Sequence, residues 1–131
     1  MEKLNVERLG IAVPYTEALT EKVCDFFATT GHGWKIVNSA CMDPAPGSNL
    51  EIAKSPALDI KSIVMKAASL DAQAVIIACT NWPAAGLAED VERIMDVVTV
   101  DSIVVTVWMG LRTIGYIDPV AGFGKLISEV V

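Results

Sequence analysis

The stretch Arg8-Leu9-Gly10-Ile11-Ala12-Val13-Pro14-Tyr15-Thr16 decides how this chain folds. An apolar run with β-branched members is closed by a proline, and a threonine able to cap a helix follows at once. Beyond Thr16 the period changes: Leu19, Val23, Phe26 and Phe27 recur at helical spacing up to Gly31-His32-Gly33, which reads as a helix stop. A strand feeding a helix through one tight turn is the opening of a βαβ unit. Further β-type runs lie at 34–39, 74–79 and 97–102. A second helix is expected from Ser55-Pro56, with Ile60, Ile63, Val64, Ala67 and Ala68 on one side. Asn81 and Pro83 open a third that uses Leu87, Val91, Ile94 and Met95. A fourth follows the last run almost without a loop, carries Val107, Trp108 and Leu111, and stops near Gly115. Parallel strands with right-handed crossovers then give a three-layer α/β/α domain, whose sheet of about four strands takes the order 2-1-3-4.

Residues 1–131 are expected to form a single α/β domain. One irregular stretch, residues 40–54, contains Cys41-Met42-Asp43-Pro44-Ala45-Pro46-Gly47-Ser48-Asn49. It exceeds the ordinary connection of about four to six residues and reads as a lid at the active-site edge. Residues 118–131 form a C-terminal segment.

Apolar residues make up 53% of the chain and charged residues 20%, against roughly 45–50% and 25% in ordinary domains. This excess excludes disorder and implies more apolar surface than a small monomer hides, so an oligomer is expected. The net charge is −6 and the ten Lys and Arg are scattered singly, which argues against a nucleic-acid or anionic-membrane partner. The most apolar long stretch, 97–117, is broken by Asp101 and Arg112 and is a poor membrane span. The first residues lack the basic-then-apolar order of a signal peptide. Three cysteines without CxxC spacing fit the reducing cytoplasm better than a disulfide framework. A single histidine, His32, argues against a His-based metal site and is more readily a turn residue.

Ligands on open parallel sheets bind at the carboxyl ends of the strands, where the winding direction reverses. That rule selects Pro14-Tyr15-Thr16 and Cys79-Thr80-Asn81 as the ends of the central strands, with the 40–54 segment and Asp101-Ser102 on the same edge. Cys79 is expected just before a helix amino terminus, where the dipole favours a thiolate able to act as acid, base or nucleophile; a buried strand-end cysteine is the equal alternative. Thr80 and Asn81 offer N–H groups and side chains to a carboxylate, or Asn81 is a helix cap. Tyr15 either binds an anionic substrate or packs under the loop, and Asn49 either gives an amide to the ligand or serves the turn. Cys24 reads as core and Cys41 as exposed without an activating group. Val13-Pro14-Tyr15-Thr16-Glu17 stands where a dinucleotide or phosphate loop would need glycines.

Taken in order, Pro14-Tyr15-Thr16, Asn49-Leu50-Glu51, Cys79-Thr80-Asn81, Ser102 ahead of Trp108, and Gly122-Phe123-Gly124-Lys125-Leu126 resemble the maleate isomerase and arylmalonate decarboxylase branch of the aspartate/glutamate racemase superfamily. The resemblance runs nearly end to end but covers only the second half of such enzymes, which consist of two pseudo-symmetric α/β halves. It implies a flavodoxin-like half of the racemase fold and chemistry on a small carboxylate without a cofactor or metal. Cys79 would exchange a proton or attack a carbon. Tyr15, Thr16, Asn49, Thr80, Asn81 and Ser102 would bind the substrate. The chain departs from the family pattern at Asp101, Ile103 and Pro83, where a serine, an asparagine and an arginine are usual. Racemases of this superfamily use two cysteines on opposite faces of the substrate, and a homodimer would bring two Cys79 residues to one cleft. The other reading is a non-catalytic half that binds a carboxylate or serves as an interaction module.

Overall fold

Strand β1 (Arg8–Val13) lies inside a sheet of four parallel strands, between β2 (Lys35–Cys41) and β3 (Ala74–Ile77), with β4 (Val98–Asp101) beyond β3. The order is therefore 2-1-3-4, as the alternation of strand and helix periods requires. The computed structural model describes residues 4–69 and 71–130. The helices are α1 (Glu17–Thr29), α2 (Asn49–Ala53), α3 (Ala57–Ala67), α4 (Ala88–Met95), α5 (Ser102–Thr113) and α6 (Lys125–Glu129).

The two faces of the sheet bury two cores. Leu9, Ile11, Val13, Ile76 and Val100 pack with Val104 and Trp108 of α5 and Leu126 and Ile127 of α6, and α1 adds Val23 and Phe27. On the other face Ala12, Val75 and Ile77 meet Ile60, Val64 and Ala67 of α3 and Val91 of α4. Alternation along β1 makes this division, since successive residues of a strand point to opposite faces. Each fully buried Leu, Ile or Val contributes about 1.5–3 kcal/mol relative to exposure.

Several boundaries differ from the sequence expectation. Strand β2 begins one residue later and runs through Ala40 and Cys41, so the 40–54 segment is part sheet; it also contains α2. Ser48 starts that helix by accepting from the Glu51 N–H, while the Glu51 carboxylate accepts from the Gly47 N–H at 2.6 Å. Strand β3 stops at Ile77 because the chain then turns, the Cys79 carbonyl accepting from the Trp82 N–H. Helix α4 begins only at Ala88, after a 3-10 turn at Ala85–Leu87, so Asn81 does not cap it. The Trp82 side chain, 2% exposed, holds this segment against the sheet instead. On α1 the inward face is Thr20, Val23, Cys24 and Phe27, and Leu19 and Phe26 stand outside it at 45% and 64% exposure. Both spacings satisfy the helical period, and only the tilt of α1 on β1 decides between them. Ser102 does not end β4 but opens α5, and the 118–131 segment includes α6.

Gly10 sets how closely α3 approaches the sheet. A Cβ built there would lie 2.1 Å from the Ala67 carbonyl oxygen, a backbone atom at the end of α3. Gly10→Ala must push α3 away from β1, and a loss of about 3 kcal/mol is expected, read as a lower urea midpoint with the denaturant slope unchanged.

Candidate functional site

Three side chains clip the chain where it leaves β3. Tyr15, two residues past β1, donates its hydroxyl to the Ala78 carbonyl at 3.1 Å. Ser102, the first residue of α5, donates to the Ile77 carbonyl at 2.8 Å. Asn81 donates its side-chain amide to the Asn49 carbonyl at the start of α2. The parallel register explains why these groups meet: Ala12 pairs with Ile77 and Ile77 with Asp101, so β1, β3 and β4 end at one level.

Cys79 sits inside this clip and is 7% exposed. The Tyr15 hydroxyl, held on the Ala78 carbonyl, interacts with this thiol. Burial and the neighbouring Cys79 push the Tyr15 phenol up to about 12. Tyr15 therefore stays protonated at neutral pH and acts as a hydrogen-bond donor. The expected helix dipole behind Cys79 is absent, because the residues that follow it form turns rather than the first turn of α4. What stands next to the sulfur is a phenol.

Thr80 and Asn81 line a cleft of about 370 Å³ together with Ala53, Trp82, Pro83, Ala85, Gly86 and Ile103. A larger cleft of about 510 Å³ runs between the start of α1 and the end of β2, lined by Thr16, Glu17, Ser39, Cys41 and Asp43 among others. Thr16 thus stands apart from the other candidate residues. Its hydroxyl accepts from the Leu19 N–H and caps α1. Of the residues singled out from sequence, Tyr15, Cys79, Asn49, Asn81 and Ser102 are tied together, and Thr80 joins them on the smaller cleft.

Two further groups at this edge are buried: the sequence places Asp101 here without revealing its enclosure, and it gives no signal for Trp82. Asp101, 1% exposed, caps α5 by accepting from the Ile103 N–H at 2.8 Å and the Val104 N–H at 3.1 Å. Its other oxygen, Oδ2, is buried without a hydrogen-bond partner, and burial raises the carboxyl while the two N–H groups pull it down. Trp82 buries its Nε1 without a partner as well. The pattern Asp-Ser at the end of a β-type run is a recognisable cap, but nothing in it tells that the second oxygen is enclosed. Elsewhere, burial raises the Cys24 thiol, and His32 stacks on Trp34 at 4.6 Å between centroids. Among the described residues no group of three His, Cys, Asp or Glu is placed to hold a metal ion, and no helix is long and apolar enough to cross a membrane.

The raised Tyr15 phenol has a readable consequence. The chain has two tyrosines, so in Tyr116→Phe the remaining phenol should ionise with a midpoint of about 12 in the absorbance at 295 nm. Because the folded value lies above the unfolded one, the associated stability is complete below about pH 10 and is lost as pH rises through about 12. Adding Cys79→Ala should move the midpoint down, leaving burial alone to raise it. An ordinary midpoint while circular dichroism still reports the fold would contradict this geometry.

Neither family models nor curated proteins match this chain. Solved structures do. The maleate isomerase Iso from Pseudomonas putida S16 superposes with a TM-score of 0.86 over 98% of this chain at 23% identity. The Nocardia farcinica maleate cis-trans isomerase, in a variant with a covalently bound succinylcysteine intermediate, gives 0.84 over 99% at 22% identity. Arylmalonate decarboxylase gives 0.81 over 96% at 19% identity. The chain spans 50%, 52% and 55% of those chains respectively. It therefore has the fold of one half of these enzymes, a half-domain of the aspartate/glutamate racemase fold.

Proposed function

We propose that this chain is a cofactor-independent protein of the isomerase, racemase or decarboxylase type that acts on a small carboxylate or dicarboxylate through Cys79. The observation that carries this reading is the Tyr15–Cys79 pair at the carboxyl edge of the sheet, next to the cleft that Thr80 and Asn81 line. A phenol held neutral cannot serve as the base, so the group of the pair that exchanges a proton or attacks is the thiol. Tyr15, Asn49, Thr80, Asn81 and Ser102 are the proposed carboxylate-binding set, with Thr16 at its margin. Fixed donors of this kind stabilise a developing enediolate, which carries its charge on the carboxylate oxygens.

Two balanced routes fit this set. In proton exchange the Cys79 thiolate removes the α-proton, the C–H electron pair moves into the carboxylate as an enediolate, and the thiol returns a proton to the same carbon. In addition, the sulfur bonds to one alkene carbon and the π pair moves to the neighbouring carbon and its carboxylate. Rotation about the new single bond follows, and return of the pair breaks the C–S bond and frees the thiolate. The succinylcysteine of the Nocardia farcinica enzyme is a carbon–sulfur adduct in that protein and supports the second route for this one. We take the protein to act as a homodimer in the cytoplasm, where its three thiols stay reduced.

The burial of Cys79 and the engagement of the Ser102 hydroxyl with Ile77 favour a second reading, a stand-alone half that binds a carboxylate without turning it over. Incubation with maleate or phenylmalonate in deuterated water, followed by NMR, separates the two. The first reading expects cis-trans conversion, deuterium at the α-carbon or loss of CO2. Cys79→Ala should lower that rate by at least about 100-fold, and Tyr15→Phe by about 100-fold. Turnover unchanged in Cys79→Ala would end the proposed mechanism. Shifts at the Thr80 and Asn81 amides without turnover select the second reading.

A further inference from the structure

We propose that the outer face of α5 is the surface on which two copies of this chain pair, antiparallel about a two-fold axis. The partner subunit's Ile114 and Tyr116 then close the cleft lined by Ile103, Thr80 and Asn81. The inference rests on the preceding reading only in treating that cleft as the site.

Along α5 and its C-cap, Ile103, Val107, Gly110 and Ile114 fall on one helical stripe and are exposed, as are Thr106 and Met109 beside them. None carries a charge. Arg112, the single charged residue of α5, is drawn away from this face, its guanidinium donating to the Tyr116 and Val130 carbonyls at 2.7 and 2.8 Å. The other long helices each present acids and bases: Glu17, Glu21, Lys22 and Asp25 on α1, Asp59 and Lys61 on α3, Glu89, Asp90 and Arg93 on α4.

The charge distribution identifies the occupant as a second copy. Two chains of charge −6 repel each other, and an uncharged face is where they meet without like charges in contact. A partner chosen by electrostatic complementarity would find nothing on this face to pair with. A membrane surface would need a basic rim that α5 lacks. Ile103, Val107 and Ile114, at 43%, 47% and 78% exposure, form an apolar patch that association would remove from water. Tyr116 and Ile117, exposed at 41% and 58%, extend it. Gly110 has open space where a Cβ would be, which permits close approach of two helices near the middle of the stripe.

In the proposed pair the two-fold axis runs perpendicular to α5, and that direction places the start of one helix against the end of the other. Ile103 and Ile114 lie about 16 Å apart along the axis. A crossing near Val107 and Gly110 therefore sets the end of the partner's α5 beside Ile103, which lines the smaller cleft. The chain alone spans half of the solved enzymes that share its fold, and a second copy supplies a second wall.

Sedimentation equilibrium from 1 to 100 µM tests the surface. The expected result is twice the 14.0 kDa chain mass for the wild type and one chain mass for Val107→Asp, with an unchanged far-ultraviolet circular dichroism spectrum. Should Val107→Asp fail to fold, Thr106→Cys decides: a bismaleimide that spans about 10 Å, the separation the crossing gives the two sites, should yield a covalent dimer well above the wild-type background. A monomeric wild type at 100 µM, a folded Val107→Asp that remains dimeric, or no cross-link through Cys at position 106 would overturn the proposal. Turnover measured on the same samples keeps the two readings apart. Turnover by a monomer leaves the carboxylate chemistry standing and removes the dimer, and a dimer disrupted by Val107→Asp without any turnover does the reverse.

Discussion

The register of β1 against β3 is the constraint from which the rest of this edge follows. Ala12 stands opposite Ile77, and the Ala78 N–H still reaches the Ala12 carbonyl at 3.3 Å. Both chains leave the sheet at that level, so the first residues free to turn, Tyr15 on one side and Cys79 on the other, come out side by side. A slip of one residue would turn every β3 side chain to the opposite face and bury Val75 and Ile77 against the wrong helices. The hydrophobic effect that fixes the pairing of two central strands thereby fixes the phenol against the sulfur.

The neighbouring strand completes the same edge at a cost. Asp101 pairs with Ile77 and spends one carboxylate oxygen on the first N–H groups of α5, which secures the helix directly after the strand. The other oxygen is enclosed, and enclosure disfavours its charge. Glu92 is the contrasting case. It is equally buried, but its carboxylate accepts from the Thr99 N–H and hydroxyl and from the Lys125 N–H, all at 2.8 Å, and joins α4, β4 and α6. A buried acid with three donors stabilises the fold, whereas one with an idle oxygen is tolerated for the cap it provides.

Much of this was legible in the residues because short β-branched runs bounded by turn signals alternate with segments of helical period. Residues 8–13 form β1 without adjustment, and the crossovers leave few orders other than 2-1-3-4. The motif order pointed to the right fold for a related reason, since groups at strand ends must recur at spacings that the crossovers set. The local errors share a cause too. Asn81-Trp82-Pro83 has the composition of a helix start, but burying the Trp82 indole is worth more than beginning α4 early, and the chain stays in turns to Leu87. Asn49 looked like loop chemistry because the Ser48 cap and its Glu51 partner were hidden among prolines and glycines. Leu19 and Phe26 satisfy the helical period as well as Thr20 and Val23 do, and no single sequence tells which way α1 rolls.

On the proposed reading, a single half of a two-sided fold can still do one-sided chemistry. A single thiol that adds to an alkene carbon and leaves from the same carbon never needs a second catalytic group, because rotation occurs in the adduct and not in the protein. Proton exchange with retention is likewise one-sided, since the group that removes the proton also returns it. Inversion is different: the proton must arrive from the face opposite to the one it left, and a rigid sheet edge holds Cys79 on one face only. On the proposed reading, then, isomerisation and single-face protonation require only that the cleft be closed to water, which a non-reacting wall such as α5 of a second copy can do. Racemisation requires a second sulfur across the substrate. Pairing through α5 supplies the wall and not the sulfur, so this assembly favours addition–elimination or single-face protonation over racemisation.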